Sequence, residues 1–398
     1  MNYILFDDKV TRENLKPFTF TRPVSGIRIG ILTIREKWKI LTGSGFSVWT
    51  EKYLSKKFSK KIGKENILIN GSILPDARLL KEIGNLKTGE KLIHEDVPLA
   101  VKLDGEELKD LNSIEDLHSN SWKPYSSKDF TKISNVWDIF LKNDEAIRSD
   151  YALVTKGRKS QPISKTNRVM GEENIFIEEG SKVECAILNA NDGPIYIGKN
   201  AEVMEGSMIR GPFVLGEEST VKLGTRIYGG TTIGPHCKVG GEISNSVIFG
   251  YSNKAHDGFI GNSVIGEWCN LGAGTNTSNL KNNYSKVKVW NFHQEDFVNT
   301  GLTFCGLMIG DHSKCSINSM FNTGTVVGVN VNVFGNGFPP KIIPCFSWGG
   351  SEGLTTYRID DAVEVAQKVM ARRNVTMESV DVKILKELFE FTTVHRAW

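Results

Sequence analysis

The chain has 398 residues, enough for two or three domains. Its 49 basic and 46 acidic residues leave a net charge of +3, which gives no argument for a nucleic-acid partner or an anionic membrane surface. No stretch is apolar for long enough to span a bilayer, and the opening MNYILFDDKV places acids directly after a short apolar run, unlike a secretory leader, so a cytoplasmic protein is expected.

Residues 1–160 read as an α/β domain. Tyr3–Phe6 is a short buried strand closed by Asp7-Asp8. A loop rich in Arg, Pro and Thr runs from Arg12 to Arg28. Apolar residues at 31, 34, 38 and 41 give Ile31–Leu41 a helical face, stopped by Thr42-Gly-Ser-Gly45. Phe46–Trp49 is a second strand, Glu51–Lys61 a basic helix, Asn66–Ile69 a third strand and Asp76–Ile83 a further helix. Such alternation indicates a sheet covered by helices, with ligands in the loops beyond the carboxyl ends of the strands. Those loops hold Asp7, Asp8, Arg12, Arg22, Arg28 and Asp76. Lys102–Lys132 is polar and carries no clear pattern, and Ser134–Leu153 is helical.

The pattern then changes. Stepping by six from Ile197 meets Val203, Ile209, Leu215, Val221, Ile227, Ile233 and Val239, eight aliphatic residues without a miss. Neither a helix nor a plain strand repeats at six. A coil of three short faces does, with one inward aliphatic per face and each rung stacked on the last. Gly198, Gly216, Gly234 and Gly240 follow the aliphatic, where a corner needs a permissive backbone. Ala201, Ser207, Ser219, Thr225, Thr231 and Cys237 occupy a second, small inward slot. The pattern slips at Ile243 and resumes with Phe249, Ala255, Ile260, Ile265 and Leu271. A later run is Ile309, Cys315, Phe321, Val327 and Val333. Residues 161–347 are thus read as a left-handed parallel β-helix of hexapeptide repeats. Pro339-Pro340 and Pro344 end it, and 348–398 form a helical tail that caps the last coil or reaches a neighbouring subunit. The six cysteines show no C-x-x-C spacing, so core-packing thiols are expected, not a metal site.

His256 stands out among seven histidines. It follows Ala255, placed in the inward slot, within Asn253-Lys-Ala-His-Asp-Gly258. Asn270–Asn279 comes soon after, where the period breaks for a loop. Imidazole suits a general base that deprotonates an amine or hydroxyl attacking a thioester, and backbone N–H groups could hold the oxyanion. Spacing alone leaves it equally open that His256 is a corner histidine. His293 and His312 rank below it.

The segment NKAHDGFIGNSVIGEWCNLGAGTNTSN (253–279) resembles the acetyltransferase domain of the bifunctional GlmU-type enzymes, which carry H-x-x-[YF]-[IL]-G-[DN] followed by N-[IL]-G-A-G-T-x-T-x-N. NLKPFTFTRPVSGIRIGILTIREKW (14–38) looks like the shorter N-terminal half of a GlmU-like branch typical of Bacteroidetes. The resemblance implies a cytoplasmic homotrimer with sites shared between subunits. It implies His256 as the base acting on glucosamine 1-phosphate, Asn270 and Asn279 on the sugar, and Arg226 on its phosphate. Ala273 and Gly335 would contact acetyl-CoA. Phe259 replaces the usual tyrosine, Ser244 replaces a lysine, and Lys286 is the candidate for a second family lysine. It also implies nucleotidyl transfer from a nucleoside triphosphate with Mg²⁺. Yet no glycine precedes Gly26, where a Gly-rich loop would cradle the triphosphate, and Ser72 stands where a metal-binding aspartate follows a glycine. Asp76 is the nearest acid, and Arg12, Arg22 and Arg28 are the alternative phosphate ligands. Two rivals remain open: a nucleotidyltransferase on a scaffold coil, and a non-catalytic sugar-nucleotide-binding regulator.

Overall fold

The first parallel strand, β1 (Asn2–Phe6), lies inside a six-stranded sheet because Ile4, Leu5 and Phe6 bury completely or nearly so. The structure, a computed structural model, describes residues 1–94, 97–111, 113–119, 122–124 and 130–396. Contacts divide the chain into one unit built mainly from residues 1–135 and a second from 136–398 that also takes Lys16–Phe18 and Arg28–Ile31.

In the first unit the elements are β1, α1 (Lys9–Asn14), α2 (Ile34–Thr42), β2 (Phe46–Trp49), β3 (Glu65–Asn70), α3 (Ala77–Gly84), β4 (Lys91–His94), β5 (Val97–Asp104) and β6 (Trp122–Pro124). The sheet order is β2-β1-β3-β5-β4-β6. β1 runs parallel to β2 and β3, while β5 is antiparallel to β3 and β4. α2 starts three residues later than its apolar face predicts, because Thr33 and Glu36 form a capping box, and it stops at Gly43, whose φ of 66° suits a left-handed cap. The expected helix over 51–61 is a run of turns. Only Leu54 of its apolar residues is fully buried, neighbouring lysines repel, and the Val48 N–H draws the Ser59 carbonyl to the sheet edge at 3.4 Å. The patternless stretch 102–132 lies partly outside the described residues. Its described part includes the end of β5 and a short helix, Gly105–Asp110.

The second unit is a parallel β-solenoid with three faces. Nine strands stack on face 1, from Ile175–Ile177 to Ile342–Ile343. Face 2 stacks ten, from Lys182–Val183 to the closing hairpin Ser347–Gly350/Gly353–Thr356. Face 3 stacks six, from Arg168–Met170 to Phe259–Gly261, and continues as Asn276–Thr277 beside Met320–Phe321. The eight aliphatics found by stepping six are all at most 2% exposed and share one core. Each contributes roughly 1.5–3 kcal/mol through burial. The small-slot hydroxyls all find carbonyl acceptors: Ser219 Oγ donates across coils to the Gly234 carbonyl at 2.7 Å, whereas Thr231 Oγ1 donates within its own coil to the Tyr228 carbonyl at 2.8 Å. Cys237, Cys269 and Cys315 pack in the same core.

Several details correct the sequence reading. The glycines after the aliphatics are not there for positive φ. A Cβ at Gly234 would lie 1.9 Å from the Phe249 carbonyl oxygen, so close approach between coils selects glycine. The left-handed corner falls two residues later and takes Asn200, Glu218 and His236. Ile243 occupies the inward position of face 3, paired with Ile227 and Ile260. The slip there is a shortened coil. The prolines do not end the repeat: Ile342–Ile343 and Ser347–Gly350 add to faces 1 and 2 beyond Pro340 and Pro344. Ser134–Leu153 is two helices, Asp138–Leu141 and α4 (Asn143–Thr155).

The tail forms α5 (Ile359–Ala371) and α6 (Ser379–Phe391) and packs on its own coil. Phe389 meets Phe346 edge-on at 5.2 Å, Arg396 donates to the Cys345 carbonyl at 3.1 Å, and Arg373 donates to Asn253 Oδ1 at 2.9 Å.

Candidate functional site

Each coil leaves face 2 through a corner before entering face 3. In one coil that corner is Ala255–Gly258, between Asn253–Lys254 and Phe259–Gly261, and it carries His256 with its side chain exposed. The inward residue below it is not Ala255. Register pairs Val239 with Lys254, so a lysine takes the aliphatic slot and is 1% exposed. Its ammonium donates to the carbonyls of Gly240 at 3.3 Å and Asp257 at 2.9 Å, and also to that of His256. Those three bonds use all its donors and tie the His256 corner to the coil beneath. Gly258, at φ 118°, completes the bend, where a Cβ would strike the Thr275 carbonyl. No signal of residue type pointed to Lys254. Only its register position could have done so.

Burial pushes the Lys254 ammonium down to about 8, with the Asp257 charge opposing. In an unfolded chain a lysine titrates near about 10.4. Between those values the unfolded state binds more protons, so stability contributed at this site rises with pH across that window. Lys254→Met removes the rise. Thermal melts of both proteins from pH 7 to 9.5 check this, and parallel curves would refute it.

The same corner recurs upward. The Gly274 N–H donates to the Asp257 carbonyl at 3.0 Å, which seats Ala273-Gly274 above His256, and Asn318 N–H donates to the Ala273 carbonyl at 2.7 Å. Gly335, exposed at φ 101°, follows the face 2 strand Asn332–Val333 two coils higher. His256, Ala273 and Gly335 therefore share one edge. Ile317, 68% exposed on that edge, is a further candidate that the sequence did not flag.

The other candidates flank the edge. Asn270 is exposed on face 2 and accepts from Asn253 Nδ2 at 3.4 Å. On face 3, Arg226, Glu242 and Phe259 form one outward row, with Arg226 3.4 Å from the Glu242 carboxylate. Phe259 N–H donates to Asn276 Oδ1 at 2.9 Å. Asn279 donates to Asn262 Oδ1 at 2.7 Å. Asn270–Thr277 is regular coil, so the period breaks later than expected. The excursion leaves after Asn279 and is closed by pairing of Leu280 with Phe304. Lys286 stands on it and donates to Thr303 Oγ1 at 3.2 Å. His312 and His236 instead belong to an aromatic ladder with Tyr251 and Trp268.

In the first unit, Arg12 is 2% exposed. It contacts Asp7 at 2.9 Å, the Arg22 carbonyl at 3.1 Å and the Tyr53 hydroxyl at 2.9 Å. Its guanidinium is a structural hub, and a phosphate would have to displace those contacts. Arg22 is buried beside it. Arg28 belongs with the second unit and donates to the Ile31 carbonyl. Asp76 caps α3 by accepting from Leu79 N–H at 2.8 Å. Among the described residues no group of three or more His, Cys, Asp or Glu could hold a metal.

Residues 3–159 match the family profile "Sugar nucleotidyl transferase". The bifunctional protein GlmU of Picosynechococcus is 30% identical over 157 residues, 39% of this chain and 28% of that protein. A putative uncharacterized acetyltransferase of Escherichia coli, YaiX, is 29% identical over 164 residues, 41% of this chain and 68% of that protein. The match thus spans less than a third of the GlmU relative. Among solved structures, an Arabidopsis UDP-N-acetylglucosamine acyltransferase aligns over 59% of this chain and 82% of its own at 16% identity and a TM-score of 0.25. No described helix is long and apolar enough to cross a membrane.

Proposed function

We propose that the solenoid transfers an acetyl group from acetyl-CoA to an amino-sugar 1-phosphate of the glucosamine 1-phosphate type, and that the first unit works on the corresponding nucleotide sugar. The observation that carries this reading is the shared edge: His256 exposed on a corner pinned from below by Lys254, with Ala273 and Gly335 above it. His256 would take the proton from the attacking amine as it adds to the thioester carbonyl. A backbone N–H on the edge would stabilise the oxyanion until the thiolate of coenzyme A leaves. Asn270 and Asn279 would hold the sugar and Arg226 its phosphate. Phe259 lacks the hydroxyl, and Ser244 the ammonium, of the related motif, so the acceptor would be held with one hydroxyl contact and one cation fewer. The family match over residues 3–159 supports a sugar-nucleotide role for the first unit. A cytoplasmic homotrimer with shared sites completes the reading.

One observation favours the rival in which the coil is a scaffold. The His256 imidazole has no hydrogen-bond partner among the described residues, so none of them orients it through a hydrogen bond. The deciding experiment follows thiol release from acetyl-CoA with glucosamine 1-phosphate, glucosamine and water as acceptors. Release that depends on the amino-sugar phosphate is expected. No release above the water control with either sugar would sink acyl transfer to this class.

A further inference from the structure

The overall charge near neutrality hides a local excess. Residues 51–64 hold six lysines against one glutamate. A pocket of about 370 Å³ opens beside them, lined by Asn2, Arg35, Phe46, Lys57, Phe58 and Lys61 among others. None of its lining residues is acidic. Three separate elements converge there: the start of β1, the helix α2 and the edge strand β2 with the turns after it. The walls are tied. Lys61 N–H donates to Ser47 Oγ at 3.2 Å, and Asn2 Nδ2 donates to the Lys61 carbonyl at 2.7 Å. Beside the pocket, Lys60 is held over the Trp49 ring, 3.8 Å from its centre.

Lysines beside an exposed edge strand can simply discourage pairing with another chain. Arg35 does not fit that account, because it reaches the pocket from α2. The site lies at the amino ends of β1 and β2, opposite the carboxyl-end loops where ligands of open sheets usually bind. We propose that this pocket binds the phosphate chain of a nucleoside triphosphate at a second, non-catalytic site. Arg35 and Lys61 clamp the phosphates as charge-assisted donors, and Phe46 and Phe58 form an apolar wall for the base. The volume falls within the ordinary range of small-molecule pockets.

Calorimetric titration of the full chain with inorganic triphosphate and with UTP tests this. Both are expected to bind. Arg35→Gln with Lys61→Gln should weaken both by about tenfold or more, with loss of affinity as salt rises. Lys52→Gln with Lys64→Gln removes equal charge outside the pocket and should change affinity by less than about twofold. Tighter binding of UTP than of triphosphate supports the wall for the base. The proposal is overturned if the wild type binds neither probe, if the first pair leaves affinity unchanged, or if both pairs lose it equally, as a diffuse field for a polyanion such as RNA would require. Acetyl transfer is read separately, so either proposal can fail alone.

Discussion

His256→Ala is expected to slow acetyl transfer to glucosamine 1-phosphate by ~10²–10⁴-fold, the usual loss for a general base, with thermal unfolding unchanged. The two halves of that expectation come from different observations. The side chain is exposed and makes no hydrogen bond among the described residues, so its removal leaves no cavity and no orphaned partner. The backbone of the corner is held independently, by Lys254 from below and by Gly274 from above. A fall in rate with an intact melt therefore reports chemistry. The split between kcat and KM carries further information. A base acts in the transition state, so kcat and kcat/KM should fall together. A rise in KM alone would make His256 a binding residue. Unchanged turnover would remove it from the mechanism and return the coil to the scaffold reading. His312→Ala makes the contrast, since that ring stacks within the aromatic ladder. Its loss should lower stability and leave the rate nearly intact.

The solenoid was legible because its signal is repetitive. Ile197 through Val239 never miss, and a period of six admits few other folds. Legibility failed where a coil shortened. Val239 and Lys254 occupy equivalent inward positions, yet counting by six from Val239 does not arrive at Lys254. The count therefore puts Ala255 inside and gives no reason to look for a buried lysine, a residue type that is almost always exposed. The excursion 280–304 was placed too early for a related reason. Asn270–Thr277 is polar enough to resemble a loop, although Leu271 and Thr277 still point inward. In the first unit, the three parallel strands and two helices are readable from alternation and stop signals, whereas the antiparallel strand Val97–Asp104 and its neighbours are not. The lysine-rich turns were not, because a helical count of apolar residues ignores repulsion between neighbouring charges. Arg12 was visible as a cation in a loop, but the closing of Asp7, Thr19 and Tyr53 around it depends on contacts distant in sequence.

Arg12→Ala is expected to destabilise the first unit by about 3–5 kcal/mol, the cost of leaving a buried charge without its partner. Asp7 is buried with Arg12, and its carboxylate also accepts from Val24 N–H at 2.9 Å and Thr50 Oγ1 at 2.6 Å. Burial raises the Asp7 pKa, and the Arg12 charge opposes that rise. Without Arg12 the folded-state value climbs further above the unfolded one. The ionised carboxylate then costs stability as pH rises through that interval, and protonation recovers it as pH falls. Urea unfolding should accordingly show the gap between wild type and variant narrowing from pH 7 toward pH 5. Asp7→Leu combined with Arg12→Met replaces both charges by apolar groups and should recover much of the loss. The series also separates the two roles open to Arg12. A phosphate ligand would lose nucleotide binding with little change in unfolding, whereas a hub loses the fold first. A variant that unfolds like the wild type at pH 7 would return Arg12 to the phosphate ligands and leave the buried pair without a structural purpose.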